Sequence, residues 1–109
     1  MVTMIPTQKE GPIDMVVIYR AKRGQEDALL TLVQSHWPTL DKLGLATSRP
    51  AEVWRARDRD GNVAFVEHFQ WKDKQAPVTA HQTPEVMALW EPMGNLMTGM
   101  DILEAERVI

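Results

Sequence analysis

Residues 13–20 constrain the fold of this chain more than any other stretch. Ile13, Met15, Val17 and Tyr19 alternate with Asp14, Val16, Ile18 and Arg20, and both sets are apolar at the centre. Successive side chains of a strand point to opposite faces, so this pattern describes an interior strand covered on both sides. The chain has 109 residues, 44% hydrophobic and 25% charged, which is long enough for one core and too short for two. One layer of helices covers one face of such a sheet, and the other face requires a cover from elsewhere.

The remaining elements follow from periodicity and punctuation. Residues 1–12 carry Pro6, Gly11 and Pro12 among polar residues and read as a flexible N-terminal segment ahead of a single domain over 13–109. After Gly24, the spacing of Leu29, Leu32, Val33, His36 and Leu40 predicts an amphipathic helix with Glu26 and Asp27 in its first turn. It should run to about Trp37, kink or restart at Pro38 and end near Gly44, followed by a polar, irregular connection over 44–50. Glu52, Trp54 and Ala56 alternate with Val53, Arg55 and Arg57 in a second strand. Asp60-Gly61-Asn62 then supplies a tight turn into a third strand, 63–71. Asp73 or its neighbour starts a short helix containing Pro77, and Thr83-Pro84-Glu85 starts another, with a capping hydroxyl and a proline at the first position. Pro92 predicts a bend before Gly94 or Gly99, and 100–108 reads as a closing strand.

The order strand, helix, strand, strand, helix, strand is that of an α+β, ferredoxin-like βαββαβ domain: a four-stranded antiparallel sheet with its helices on one face. The two-sided apolar first strand then predicts a homodimer packed sheet to sheet.

Several function classes are poorly supported. The formal net charge is -3 and the basic residues are interspersed with acids, as in Arg55, Arg57, Asp58, Arg59 and Asp60, so neither nucleic acid nor an anionic membrane surface is an expected partner. There is no cysteine, which removes disulfides, thiolate nucleophiles and Cys-based metal sites and fits a reducing, cytoplasmic setting. No signal peptide or membrane span is read in the sequence. Metal ligation is not expected: no HxH, HxxxH or carboxylate cluster is present, and His81 to Glu85 has helical ligand spacing only if the helix continues through Pro84. Phosphate loops, dinucleotide fingerprints and nucleophile elbows are absent, so no cofactor is expected.

The stretch 67–97 carries the candidate chemistry. Alternation puts Phe65, Glu67, Phe69 and Trp71 on one face of the third strand, so a carboxylate sits in an aromatic row. Such a group must find a partner, stay protonated or open onto a wet cavity. An arginine such as Arg20 or Arg55 is one expected partner, and His81, between the two halves of the second helical region, is the other. Tyr19, Trp54, Phe69, Trp71 and Trp90 are expected to line an aromatic pocket, with His36 beside Pro38 as a second wall, although each of these aromatics also suits plain core packing. His68 faces away from Glu67 and cannot share a ligand with it.

Glu67, Trp71, Lys72-Asp73, Ala76, His81 and Pro84-Glu85-Val86 form a pattern of a strand bearing Glu and ending in Trp, a short helix, a His and a proline-started helix. In this pattern and in its element order, over roughly 13–108, the chain resembles the antibiotic biosynthesis monooxygenase-like domains of the dimeric alpha/beta barrel superfamily. The resemblance implies a cofactor-independent monooxygenase acting on a small aromatic phenol or quinol, with His81 as base or relay and Glu67 as its orienting partner. Tyr19, His36, Trp54, Phe69, Trp71 and Trp90 would then bind the substrate. The haem-degrading branch is not matched, since the first strand lacks its Asn and His81 and Trp90 stand in reverse order. The alternative is a non-catalytic, small-molecule-binding or stress-associated homodimer.

Overall fold

The computed structural model describes residues 11–109. Its elements are β1 (Ile13–Ala21), α1 (Glu26–Gln34), α2 (His36–Lys42), β2 (Glu52–Arg57), β3 (Val63–Trp71), α3 (Ala76–His81), α4 (Pro84–Asn95) and β4 (Met97–Ala105). All strand pairs are antiparallel and the order is β2-β3-β1-β4, the ferredoxin-like βαββαβ arrangement expected from the element order. The first ten residues of the expected N-terminal segment lie outside the described residues. Among those described, no helix is long and apolar enough to cross a membrane.

Register decides which side chains meet. Ile13, Met15, Val17 and Tyr19 stand opposite Trp71, Phe69, Glu67 and Phe65, and these rows form the inner face beneath the helices. Leu29, Val33, Leu40, Val86 and Met93 descend from the helices onto that face and complete the core. Each such buried side chain contributes about 1.5–3 kcal/mol of apolar transfer free energy. The outer face carries Asp14, Val16, Ile18 and Arg20 against Gln70, His68, Val66 and Ala64.

The β2–β3 hairpin forms as the turn residues predict. Asp58 Oδ1 accepts the backbone N–H groups of Asp60 and Asn62, both at 2.9 Å, and Gly61 supplies a φ of +81°. The first helix breaks at Ser35, three residues ahead of Pro38. Pro38 has no N–H for the carbonyl of Gln34, and the chain restarts as α2 with Pro38 inside its first turn. The end of α2 is a Schellman motif: Gly44 takes a φ of +72°, its N–H reaches Asp41 O, and the N–H of Leu45 returns to Leu40 O at 2.9 Å.

Three expectations change. The 44–50 connection is not simply polar: Leu45 and Ala46 are buried, and Ala46 bridges to Trp71 like a fragment of a further strand. The Thr83 hydroxyl does not cap α4, because it donates to the carbonyl of Thr79 at 2.7 Å. Finally, β4 begins at Met97, directly after α4, and ends at Ala105. A register shift at Arg20/Ala21 lets the earlier start pair with β1, with Gly99 accommodated opposite Arg20.

Candidate functional site

Glu67 is fully buried on the inner face of β3, at 0% exposure, and its partners come from two other elements. Tyr19 of β1 lies diagonally across from it, two residues from its direct partner Val17, and donates its hydroxyl to Glu67 Oε1 at 2.6 Å. His36 arrives from above, at the first position of α2, and places Nδ1 2.8 Å from Oε1 and 3.1 Å from Oε2. The break at Ser35 turns this histidine inward; it is 3% exposed.

The chemistry of the cluster follows from its donors and acceptors. Burial first, and then the Glu67 carboxylate beside it, push the Tyr19 phenol far above its usual range, so Tyr19 remains a donor. A carboxylate only accepts, so Nδ1 of His36 carries the proton that faces Glu67. In the neutral ring this leaves Nε2 as an acceptor. Nε2 is buried and has no hydrogen-bond partner among the described residues. An unpaired buried polar atom costs about 1–3 kcal/mol, a cost that a bound donor would offset.

His36 lines a cavity of about 430 Å³ between the inner faces of β1 and β4 and the helices α3 and α4. Phe69 and Trp90 flank the imidazole, with ring centroids 5.3 and 6.0 Å away. Trp71 stacks edge-on to Phe69, and Met15, Met93, Met97 and Met100 fill much of the remaining wall. Methionine adapts its shape easily, so aromatic plates and thioether walls suit a flat apolar ligand. The edge strand β4 lines one side of the cavity with Met97, Met100, Ile102 and Glu104, and Ile102 is 59% exposed.

Of the residues singled out in the sequence, Tyr19, His36, Phe69, Trp71, His81 and Trp90 all line this cavity. Their arrangement differs from expectation in three ways. Glu67 makes no hydrogen bond to His81: its oxygens are engaged by Tyr19 and His36, and His81 sits exposed at the lip. There His81 Nδ1 donates to Pro77 O at 2.8 Å and its ring packs 4.9 Å from Trp90. Neither arginine pairs with Glu67, since Arg20 lies on the outer face with Asp101 and Arg55 lies over the Phe65 ring. Trp54 is outside the cavity and 64% exposed, because its register partner Val66 places it on the outer face of the sheet.

His36 as the partner of Glu67 is the feature sequence reasoning missed. Its signal was a histidine on an otherwise apolar helical stripe just before a proline, in a chain that also buries a lone carboxylate. His68 does face away from Glu67, bonding Asp14 Oδ1 at 3.0 Å beside Arg49. Among the described residues, no group of three or more His, Cys, Asp or Glu side chains is placed to hold a metal ion.

No protein-family model matches the chain, and no curated protein matches it. Solved structures do. A protein from Bordetella bronchiseptica described as a candidate antibiotic biosynthesis monooxygenase superposes with a TM-score of 0.70 at 13% identity, covering 92% of this chain and 100% of that one. SnoaB, a cofactor-independent oxygenase from Streptomyces nogalater, gives 0.69 at 15% identity over 91% of this chain and 97% of its own. A further candidate antibiotic biosynthesis monooxygenase, from Nitrosomonas europaea, gives 0.66 at 11% identity over 92% and 93%. The chain therefore has the antibiotic biosynthesis monooxygenase fold. At these identities the likeness is one of fold.

Proposed function

We propose that the protein is a cofactor-independent monooxygenase acting on a small phenolic or quinolic aromatic, with His36 as the general base. The observation that carries this reading is that His36, a residue of the aromatic cavity's lining, has its buried Nε2 without a partner among the described residues while Nδ1 is held by a buried carboxylate. A carboxylate behind one imidazole nitrogen fixes the tautomer and supports the positive charge that forms when the other nitrogen takes a proton.

In the proposed reaction the substrate hydroxyl gives its proton to His36 Nε2, leaving an electron-rich phenolate. The phenolate reduces dioxygen and a C–O bond forms at a ring carbon. Loss of water then gives the quinone. One oxygen atom enters the product, and the other leaves in water with two hydrogens from the substrate's O–H and C–H, the O–H proton returning from His36, so the substrate supplies all four electrons that reduce dioxygen. Trp71, Trp90 and Phe69 hold the ring flat in a desolvated space. Tyr19 positions Glu67 and does not reach the ligand with its hydroxyl, which is already spent on the carboxylate. His81 acts at the lip, on the outer end of the substrate.

The working unit in this proposal is a cytoplasmic homodimer. Its support is the outer sheet face, where Val16, Ile18 and Val66 lie among the more exposed Trp54 and Leu103 and no helix among the described residues covers them.

The test is oxygen uptake with a panel of phenols and quinols. The wild type should consume dioxygen and form quinone, and His36→Ala should lose roughly 10²–10⁴-fold in rate, the usual span for a general base. His81→Ala should lose less than about tenfold, as a lip residue. Absence of uptake by the wild type across the panel would favour the non-catalytic binding protein. Undiminished uptake by His36→Ala would move the base elsewhere.

A further inference from the structure

We infer that the cavity selects uncharged aromatics that donate a hydrogen bond, whether through O–H or N–H, and rejects both aryl ethers and aryl carboxylates. The inference deepens the reading of this cavity as the ligand site, and it concerns recognition alone.

Two observations carry it. The first is the polarity of the lining: His36 lines the cavity, its Nε2 is buried without a partner among the described residues, and with Nδ1 committed to Glu67 it is the acceptor of the neutral ring. A ligand O–H or N–H completes it. An ether or ketone oxygen would set lone pair against lone pair and leave both groups desolvated.

The second is charge. Among the described residues that line the cavity none is Lys or Arg, while the fully buried Glu67 lies directly behind His36. An anion entering this space leaves water, meets no lysine or arginine in the described lining and adds to the carboxylate of Glu104. A neutral His36 offers a positive charge only by taking a proton. A phenol brings that proton with it, whereas a carboxylate at neutral pH arrives without one. Two ligands that both present oxygen to the same nitrogen are thus separated by whether a proton travels with them.

The same argument widens the ligand class. An arylamine or indole N–H satisfies Nε2 as a phenol does, so nitrogen donors should bind even where they are not turned over. The ring walls of Phe69, Trp71 and Trp90 do not distinguish these ligands, because each presents the same aromatic surface.

Isothermal titration of the wild type with four naphthalenes that differ in one substituent tests this. Naphthol and naphthylamine should bind within about fivefold of one another, methoxynaphthalene about tenfold or more weaker, and naphthoate about a hundredfold or more weaker at pH 7. In His36→Gln, whose amide can still donate to Glu67, naphthol should lose its advantage over the methyl ether. If the ether or the carboxylate binds as tightly as naphthol, or naphthol does not bind, the inference is overturned. The wild-type series stands by itself should the variant fail to fold. A ranking that holds without oxygen uptake would sink the oxygenase reading alone, and uptake without the ranking would sink this inference alone.

Discussion

Replacing His36 by leucine isolates the energetic role of the buried cluster. The substitution keeps the position apolar and of similar bulk but leaves the Glu67 carboxylate, at 0% exposure, with Tyr19 as its only described partner. Removing one member of a buried pair typically costs about 3–5 kcal/mol, because the remaining charge is left uncompensated. The opposite change removes the polar cluster altogether. In Tyr19→Phe/His36→Leu/Glu67→Met no buried polar atom of the three is left unpaired, and such replacement by apolar groups of similar shape is often close to neutral. The triple variant should therefore lie within about 2 kcal/mol of the wild type and be more stable than His36→Leu alone. Urea unfolding followed by tryptophan fluorescence, at one fixed protein concentration so that any self-association contributes equally, yields the three free energies. The reasoning fails if His36→Leu costs less than about 1 kcal/mol, or if the triple variant is no more stable than the single one.

Other consequences are more local. Gly44→Ala should cost about 1 kcal/mol in the same assay, from its φ of +72° alone, since an added Cβ there meets no atom within 4 Å. Burial raises the Asp14 carboxyl, but hydrogen bonds from Arg49 and His68 outweigh it and hold the group below 3.8. Its contribution is therefore present above about 3.8 and is lost as pH falls through the lower folded value. For a partly exposed, solvent-screened group Asp14→Asn should cost no more than about 1 kcal/mol at pH 7 and less as the pH falls below 3.8, and a cost that grows on acidification would contradict the assignment. Trp54→Asp combined with Leu103→Asp should shift sedimentation at low micromolar concentration from dimer to monomer, whereas a monomeric wild type would remove the homodimer from the proposal.

Much of the architecture was readable in the chain because it rests on short-range rules. Asp60-Gly61-Asn62 specified the hairpin, since few residues tolerate the positive φ found at Gly61. The alternation of Phe65, Glu67, Phe69 and Trp71 put the carboxylate on the helix-facing side, where it lies. Pro38 announced a break in the first helical region, although the chain yields at Ser35, where the missing hydrogen bond is absorbed. The closing strand was displaced by three residues because its start depends on pairing across a shift in β1, which no pattern within 97–108 encodes. The cavity was legible as an aromatic neighbourhood, but with His81 rather than His36 expected beside Glu67. His81 is near Glu67 in sequence yet ends on the lip, and His36 is far away yet lands on the carboxylate.

The division has a physical cause. Alternation, helical spacing and the conformational limits of glycine and proline act over a few residues, so the amino-acid order alone determined the elements, their succession and the burial of a carboxylate in an aromatic row. Which donor reaches that carboxylate depends on contacts between residues 31 and 48 positions apart, set by how α2 seats on the sheet and by the register of β1 on β3. Those placements minimise the energy of many packed side chains at once. Only the tertiary structure could decide that His36 meets Glu67, that Trp54 faces outward, and that one imidazole nitrogen of a cavity-lining histidine is left without a described partner.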